Sequence, residues 1–412
     1  MARTDEHLVG IDIGSSKVSV LIAQPAGDGG LEVVGKGQAP NRGTRKGNIV
    51  NIEATVDALR QATEEAEVMA GVEIARAWVG VAGSDVRSVN VRGMVSVARK
   101  DREVTRQDIE RVMEAAQSAA LPSDREILHA IPQEFLIDDQ GGIGDPLGML
   151  GSRLEVAVHL VTANTTRIRT VLTCVNRAGI EVSQLVFEPL CAAQTVLTHD
   201  ERELGVVLLD VGAGTTNLAL FADGQVQCSA VLPVGAGHFT NDLAMVLRTP
   251  FAEAERIKLR EGCCIPAMVD DREGVTVPAV AGGAERVVPK SHLCEILAPR
   301  AEELLTLARE TIDRNGWERE LRGGLVLTGG GAQLDGLLEL AQQIFEGPVR
   351  YGLPAGLSGL VDVISSPAWS VSSGVLLYAR TEQTARPQTQ RRPGFSVRGV
   401  VGSIRGMFAD LL

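Results

Sequence analysis

Three glycine turns carry the residue types that phosphate and metal chemistry needs. In the first, Asp12 is followed by Gly14, Ser15, Ser16 and Lys17. In the second, Asp210 is followed by Gly212, Ala213, Gly214, Thr215, Thr216 and Asn217, and in the third Thr328 leads into Gly329, Gly330 and Gly331. Glycines bring backbone amides close to an anion, hydroxyl side chains add donors, and a carboxylate at a strand end can hold a divalent cation through water. Taken singly, either of the first two is also an ordinary tight hairpin. Together they repeat one order, apolar strand, Asp-apolar-Gly, hydroxyl residues, outgoing strand, which points to a duplicated fold with a nucleotide held between its halves. The third turn lets the backbone approach a flat base or ribose.

Those turns need strands to hold them. The runs before Asp12 and Asp210 are short, continuous and β-branched, the pattern of buried strands. Strands are predicted over 8–23, as a hairpin, then 31–37 and 78–81, with a helix over 52–70 and a basic, glycine-rich loop over 41–47. A departure over 84–160 has its own strand, helix, strand signals, with Thr105 as a helix N-cap and Asp108 three residues on. A strand over 154–163 is predicted to return the chain to the first domain. A further strand then meets a helix at Glu188 and Pro189. Residues 233–238 read as a flexible joint before a mostly helical section ending near Leu305, and a helix over 370–379 closes the fold. Past Arg380 the composition turns to Thr, Gln, Pro and Arg, a disordered linker by composition.

Composition sets further bounds. The chain has 412 residues and a net charge of −12, long enough for two or more domains. Aromatic residues make up only 3%, too few for a base-stacking platform, and the acidic balance argues against general nucleic-acid binding. Past Arg380 five arginines stand against Glu382 and Asp410, a basic end suited to an anionic membrane surface. The six cysteines show no C-x-x-C spacing and the six histidines no H-x-x-x-H pair. Reduced thiols in a cytosolic protein, without a cysteine or histidine metal centre, are expected. Neither a secretory signal nor a membrane-spanning segment is expected.

The order of the three turns resembles that in the superfamily of actin, hexokinase and the heat-shock chaperone ATPases. Further stretches resemble the FtsA family of bacterial cell-division proteins, the actin-like membrane tethers of the FtsZ ring. They are Arg45-Lys-Gly-Asn-Ile-Val-Asn-Ile-Glu53, Asp101-Arg-Glu-Val-Thr105, Leu128-His-Ala-Ile-Pro-Gln-Glu-Phe135, Gly144-Asp-Pro-Leu-Gly-Met149, Ala252-Glu-Ala-Glu-Arg-Ile-Lys258 and residues 395–412. The resemblance implies an α/β, actin-like two-domain duplicated ATPase fold with an FtsA-type inserted subdomain. Its parts would be 1–83 with 161–199, the insertion 84–160, 200–236 with 306–380, a subdomain 237–305, a linker 381–394 and a membrane-targeting helix 395–412.

The resemblance also implies ATP and Mg²⁺ as ligands. Asp12 and Asp210 would hold the metal through water, while Ser15, Ser16 and Lys17 with Gly212, Gly214, Thr215 and Thr216 surround the phosphates. Gly329, Gly330 and Gly331 would lie along the adenosine, with Glu255 and Lys258 on its other side. Three apart, these last two are equally a surface ion pair. Glu188 stands where the superfamily often positions the attacking water, and is otherwise an ordinary carboxylate at a helix N-terminus. Relatives usually read Asp-apolar-Gly-Gly-Gly-Thr-x-Asp in the second turn. Ala213 still offers an amide, whereas Asn217 removes a carboxylate, so binding is expected to survive more readily than hydrolysis. Arg300 and Glu303, on a helix begun after Pro299, match the FtsA segment that receives the FtsZ C-terminal peptide.

At helical spacing Val397, Val400, Val401, Ile404, Met407, Phe408, Leu411 and Leu412 share a broad face flanked by Arg398 and Arg405, the pattern of an amphipathic helix lying on a membrane. The expected function is therefore an ATP-binding protein that forms head-to-tail polymers and anchors the FtsZ ring, at the cytoplasmic face of the membrane at the septum. Its partners would be the FtsZ peptide, itself, anionic lipids and other division proteins, with no nucleic acid. The competing readings are an actin-like pilus-assembly protein, which lacks reason for such a tail, and a sugar-kinase-like phosphotransferase, which needs a general base beyond Glu188. A chaperone ATPase would need a peptide-binding domain that the residues after the ATPase-like core do not supply.

Overall fold

The computed structural model describes residues 7–385 apart from 28, 100, 119–121, 271, 281–282 and 318–320. The first half opens with β1 (Leu8–Ile13), β2 (Lys17–Pro25) and β3 (Leu31–Pro40), then the short β4 (Thr44–Arg45) and β5 (Asn48–Ile49), α1 (Ile52–Ala70) and β6 (Arg76–Val81). The insertion contributes β7 (Arg87–Ser96), α2 (Arg106–Ser118), β8 (Arg125–Ile137), β9 (Gln140–Ile143) and β10 (Arg153–Asn164). Next come α3 (Thr165–Arg177), β11 (Glu181–Phe187), α4 (Glu188–Val196) and α5 (His199–Leu204). The second half runs through β12 (Val206–Val211), β13 (Thr216–Ala222), β14 (Gln225–Leu232), α6 (Ala236–Leu247), α7 (Phe251–Glu261), β15 (Gly274–Val277), β16 (Arg286–Pro289), α8 (Lys290–Arg314), β17 (Gly324–Thr328), α9 (Leu337–Phe345) and β18 (Val349–Tyr351). The described chain closes with β19 (Ser358–Gly359), α10 (Val361–Ile364) and α11 (Ser370–Ala385).

The duplication read from the turns is a duplication of topology. One sheet has the order β11-β6-β1-β2-β3-β19 and the other β18-β17-β12-β13-β14. In both, the strand bearing the aspartate pairs antiparallel with the next strand and parallel with a later one. The register makes the copies equivalent, with Asp12 opposite Ser19 and Asp210 opposite Asn217. Because β12 and β13 are buried on both faces, every residue of each is inside, which is why their sequences run apolar without alternation. Both aspartates therefore stand at the carboxyl ends of strands with parallel neighbours, the usual ligand-facing edge of an α/β sheet.

Several predicted boundaries move. The strand over 154–163 was expected to lead back to the first domain. As β10 it is instead a central strand of the insertion's own sheet, order β7-β10-β8-β9, so a cut at 160 falls inside it. A cut at 305 likewise falls inside α8, which passes straight through Pro299. A proline there removes one helical hydrogen bond, but Leu293, Leu297, Ala301, Leu304 and Leu305 are all buried on the same helix and their packing carries it through. The helix at Arg300 thus begins nine residues before Pro299, at Lys290. The last helix, α11, packs against α4 and β1, and Trp369, Val371, Val375, Leu376 and Ala379 lie in the core of the first half. Residues 370–380 therefore belong with the first half, as do β19, Ile364 and Trp369, and not with 306–351. That helix also continues to Ala385, five residues into the expected linker.

The expected joint at 233–238 is stitched down. Ala236 N–H donates to Gly212 O at 2.8 Å and Gly237 N–H to Ala213 O at 2.7 Å, which docks the start of α6 on the second glycine turn. The insertion grips the open edge of the second sheet with side chains. Ser88 Oγ donates to Ser229 O at 2.5 Å, Asn90 Nδ2 to Gln227 O and Gln133 Nε2 to Val226 O, both at 2.9 Å. These donors satisfy carbonyls that an edge strand otherwise offers to another chain. The six cysteines are free thiols.

Candidate functional site: a carboxylate-lined cleft between two glycine turns

The two hairpin turns meet. A Cβ on Gly214 would lie 2.5 Å from Ser15 Oγ and 3.0 Å from the Cα of Lys46, so the first turn, the second turn and the basic loop converge. Gly47 N–H donates to Ser15 Oγ at 2.9 Å. Asn41, which sequence reasoning missed, fastens that loop: its Nδ2 donates to Gly14 O and to Thr44 Oγ1, both at 2.9 Å, and its N–H donates to Ser16 O at 2.8 Å. Lys17 rests with Nζ 3.4 Å from Gln38 Oε1 and 4.9 Å from the Trp369 ring centre. Burial holds its pKa below the usual lysine value, Lys36 adding to that and Asp12 opposing it.

Three carboxylates face the convergence. Asp210 is buried, and Asn217 Nδ2 donates to its Oδ2 at 3.2 Å and to Glu188 Oε2 at 3.1 Å. Asn217 is thus more than an absent carboxylate: its amide bridges two acids that would otherwise repel. Burial lifts Glu188 well above the ordinary range, with the charges of Asp12 and Asp210 adding to the effect. Burial and then Asp210 push Asp12 up to about 7, Lys17 opposing. Asp210 is pushed up to about 6 by burial, against the hydrogen bond from Asn217.

These residues fit a cation and a polyanion. Packed carboxylates with raised pKa values are relieved by a positive ion, and the buried Asn217 Oδ1 has no hydrogen-bond partner among the described residues, leaving it open to a donor such as a metal-bound water. Among the described residues no three His, Cys, Asp or Glu side chains converge closely enough to ligate a metal directly.

The ligand-free protein is expected to lose stability as pH rises from about 4 to 7 on account of Asp12. Its folded-state pKa lies above the ordinary value, so the folded form keeps a proton that the unfolded chain releases, and folding becomes costlier across that window. Asp12→Asn removes the effect. The variant should match the parent at pH 4 and exceed it at pH 8 by on the order of 2 kcal/mol, a figure reduced because this side chain is only half-buried. Denaturant midpoints across pH measure the difference, and parallel curves would count against a carboxylate cluster.

The third turn lies beside the second. Gly329 has φ 84°, and a Cβ there would run into the Asp210 carboxylate and the Val211 backbone, so only glycine fits. Its N–H donates to Pro367 O at 3.2 Å. Gly330 and Gly331 begin a single 3₁₀ turn, Gly330–Gln333. Glu255 and Lys258 sit on α7, with Lys258 Nζ 2.8 Å from Glu255 Oε2. Lys258 is buried and donates also to Thr240 Oγ1 at 2.9 Å and Ala236 O at 3.2 Å, so it ties α7 to the start of α6. Glu255 remains partly exposed and also meets Thr240 Oγ1.

Arg300 and Glu303 lie apart from this cleft, on α8, and bond to each other. Sequence reasoning missed Asp242 on α6, which accepts from Arg300 Nε at 2.7 Å and from Nη2 at 3.2 Å. The tail residues Val397, Arg398, Val400, Val401, Ile404, Arg405, Met407, Phe408, Leu411 and Leu412 lie outside the described residues.

Two sheets of one topology, each presenting an acid and a glycine turn to a shared cleft, define an actin-like fold. Solved structures agree. The PilM-PilN type IV pilus biogenesis complex aligns with a TM-score of 0.67 at 16% identity, covering 90% of this chain and 98% of that one. MreB 5 of Spiroplasma citri bound to AMPPNP aligns with a TM-score of 0.57 at 15% identity, covering 92% and 98%. At such identities these show the fold alone. Sequence relatives go further. A family model described as Cell division protein FtsA matches residues 207–374, and one described as an SHS2 domain inserted in FTSA matches 83–162. The chain is 44% identical to the cell division protein FtsA of Pseudomonas aeruginosa, over 93% of this chain and 91% of that protein. To that of Escherichia coli K12 it is 37% identical, over 92% and 91%. The chain belongs to the FtsA family of cell division proteins.

Proposed function

We propose that this division protein binds one ATP with Mg²⁺ in the cleft, assembles head to tail, and connects FtsZ polymers to the cytoplasmic face of the membrane at the septum. The observation that carries the nucleotide reading is the convergence of Ser15, Gly214 and Gly47 beside three acids with raised pKa values. Asp12 and Asp210 would hold Mg²⁺ through water, and Glu188 would orient the water next to the terminal phosphate. The amides of the two turns and Lys17 would take the phosphates, Lys17 leaving Trp369 to do so. Gly329 to Gly331 and Glu255 would border the adenosine, with Lys258 holding α7 in place. The metal supplies charge neutralisation at the phosphates when bound. Asn217 supplies no carboxylate, which supports slow turnover.

Among the described residues no helix is long and apolar enough to cross a membrane. The proposed attachment runs through segment 395–412, whose apolar residues share one face at helical spacing. Burying its apolar face in lipid is largely offset by the entropy of ordering it, so one tail binds weakly and a polymer presenting many binds tightly. Because α11 continues to Ala385, the tail-less form should end after that residue, leaving the helix intact. Full-length protein should float with anionic liposomes, more completely with Mg·ATP, while the tail-less form and Phe408→Glu stay in solution. Equal flotation of all three would sink the anchor.

For the FtsZ peptide, Asp242 changes the experiment. Arg300→Glu would set three acids together and disturb the contact between α6 and α8, so its effect on binding would be ambiguous. Arg300→Ala should weaken peptide binding about tenfold, the worth of one charged hydrogen bond. Asp242→Asn, by releasing the guanidinium from an internal competitor, should strengthen it. Fluorescence anisotropy of a labelled FtsZ C-terminal peptide measures both, and unchanged affinity in the two variants retires the site.

A further inference from the structure

The stretch Leu128 to Phe135, which marks the resemblance to the family, lies on β8 of the insertion, outside the two glycine turns. One of its residues reaches the nucleotide site from the insertion. His129, on β8, is buried, and its Nε2 accepts the N–H of Phe187 at 2.9 Å. Phe187 is the last residue of β11 and the N-cap of α4, and Glu188 follows it immediately. The Phe187 side chain makes no cap bond to α4, and β11 pairs with β6 as far as Phe187 and Val81, so the imidazole is a second hold on the strand end from which Glu188 projects. On the far side of the ring, Tyr378 Oη of α11 lies 3.5 Å from Nδ1, with the rings edge to face and centroids 5.9 Å apart.

The chemistry of that ring is settled by its partner. A backbone N–H can only donate, so Nε2 carries a lone pair and the ring proton sits on Nδ1, toward Tyr378. Burial, with His159 nearby, lowers the His129 pKa to about 4, so the neutral acceptor form persists at neutral pH. The insertion that delivers His129 is itself held to the second half through β14, where His159 Nε2 meets Ser229 Oγ at 2.9 Å.

We propose that His129 is a positioning residue for the nucleotide cleft: by accepting the Phe187 amide it sets where Glu188 stands, which makes the inserted subdomain a structural part of the Mg·ATP site. This rests on the nucleotide reading above. His129 acts through Phe187 and Glu188. Glu188 shares the Asn217 amide with Asp210, which would hold the metal, so a variant that removes the acceptor affects the metal-dependent part of binding, whereas general loosening of the fold affects ATP binding with and without metal alike.

The experiment compares the parent with His129→Gln, His129→Leu and Tyr378→Phe by calorimetry, each titrated with ATP in Mg²⁺ and with ATP in EDTA. Glutamine keeps an acceptor near the place of Nε2, and leucine does not. His129→Leu should lose about tenfold in Mg·ATP affinity, the scale of an outer partner of a metal site, with metal-free affinity unchanged, and His129→Gln should restore it. Tyr378→Phe should shift affinity in the same direction by less, and it carries the test with His129→Gln if the leucine variant does not fold. In a Glu188→Gln background the leucine substitution should have no further effect. A His129→Leu or Tyr378→Phe variant that binds Mg·ATP like the parent, an equal loss with and without metal, or additive effects with Glu188→Gln would each overturn the proposal. A parent that binds no nucleotide would instead overturn the nucleotide reading, and this proposal with it.

Discussion

Asp210→Ala should lower the affinity for Mg·ATP by about 100-fold while barely changing that for ATP in EDTA. The size follows from what is removed: a charged group that would hold the ion through its waters under the proposed function, for which loss of up to about two orders of magnitude is typical. The side chain is buried at the end of β12, its Oδ2 takes the amide of Asn217, and Gly329 presses against it from the third turn. A second signature has the opposite sign. Because burial pushes the Asp210 pKa up to about 6, its ionised form costs folding energy at pH 8, and the ligand-free variant should withstand denaturant better than the parent there. Weaker binding in a more stable protein separates loss of a ligand group from damage to the fold. Equal Mg·ATP affinity in calorimetry would move the metal site elsewhere.

Gly374→Ala should destabilise the protein by about 3 kcal/mol or more, the scale of a forced overpacking. Intrinsic preference predicts the reverse, since alanine in a helix interior is favoured over glycine by about 1 kcal/mol. Packing decides the sign. α11 crosses α4 so closely at Gly374 that an added Cβ would overlap the carbonyl of Cys191, backbone against backbone, with no flexible side chain to yield. Relief requires α11 and α4 to part, and α4 begins at Glu188, so Mg·ATP affinity should fall along with the urea midpoint. A variant at least as stable as the parent would show that the two helices are not in such contact.

Much of the cleft was legible beforehand because its signals are local. A buried strand, a carboxylate at its end, a glycine turn and hydroxyl residues all lie within about ten positions of one another, and each reflects a backbone requirement that sequence spacing reports. The repeat of that unit was enough to infer two matching halves, and the two sheets share one strand order. The insertion's capping pair was equally local. Thr105 N–H donates to Asp108 Oδ2 at 3.0 Å and Asp108 N–H to Thr105 Oγ1 at 3.3 Å.

Other features depended on partners far away in the chain. Asn41 meets Gly14, His129 meets Phe187, Arg300 meets Asp242 and Lys258 meets Ala236 across separations of 27, 58, 58 and 22 residues, and no periodicity encodes such pairs. Composition also misled where packing overrode it. Glycines at 235 and 237 look like a joint, yet their neighbourhood is hydrogen-bonded to the second turn. Pro299 looks like a helix start, yet buried leucines on both sides carry α8 through it.

What the sequence determined by itself, then, was the chemistry each turn offers and the duplication that pairs them, because these follow from residue type and short-range spacing. Only the tertiary structure decided that Asn217 bridges two acids, that α11 returns to the first half, and that the insertion reaches the strand end before Glu188. Those outcomes depend on which distant surfaces are buried together, and burial is a property of the assembled fold.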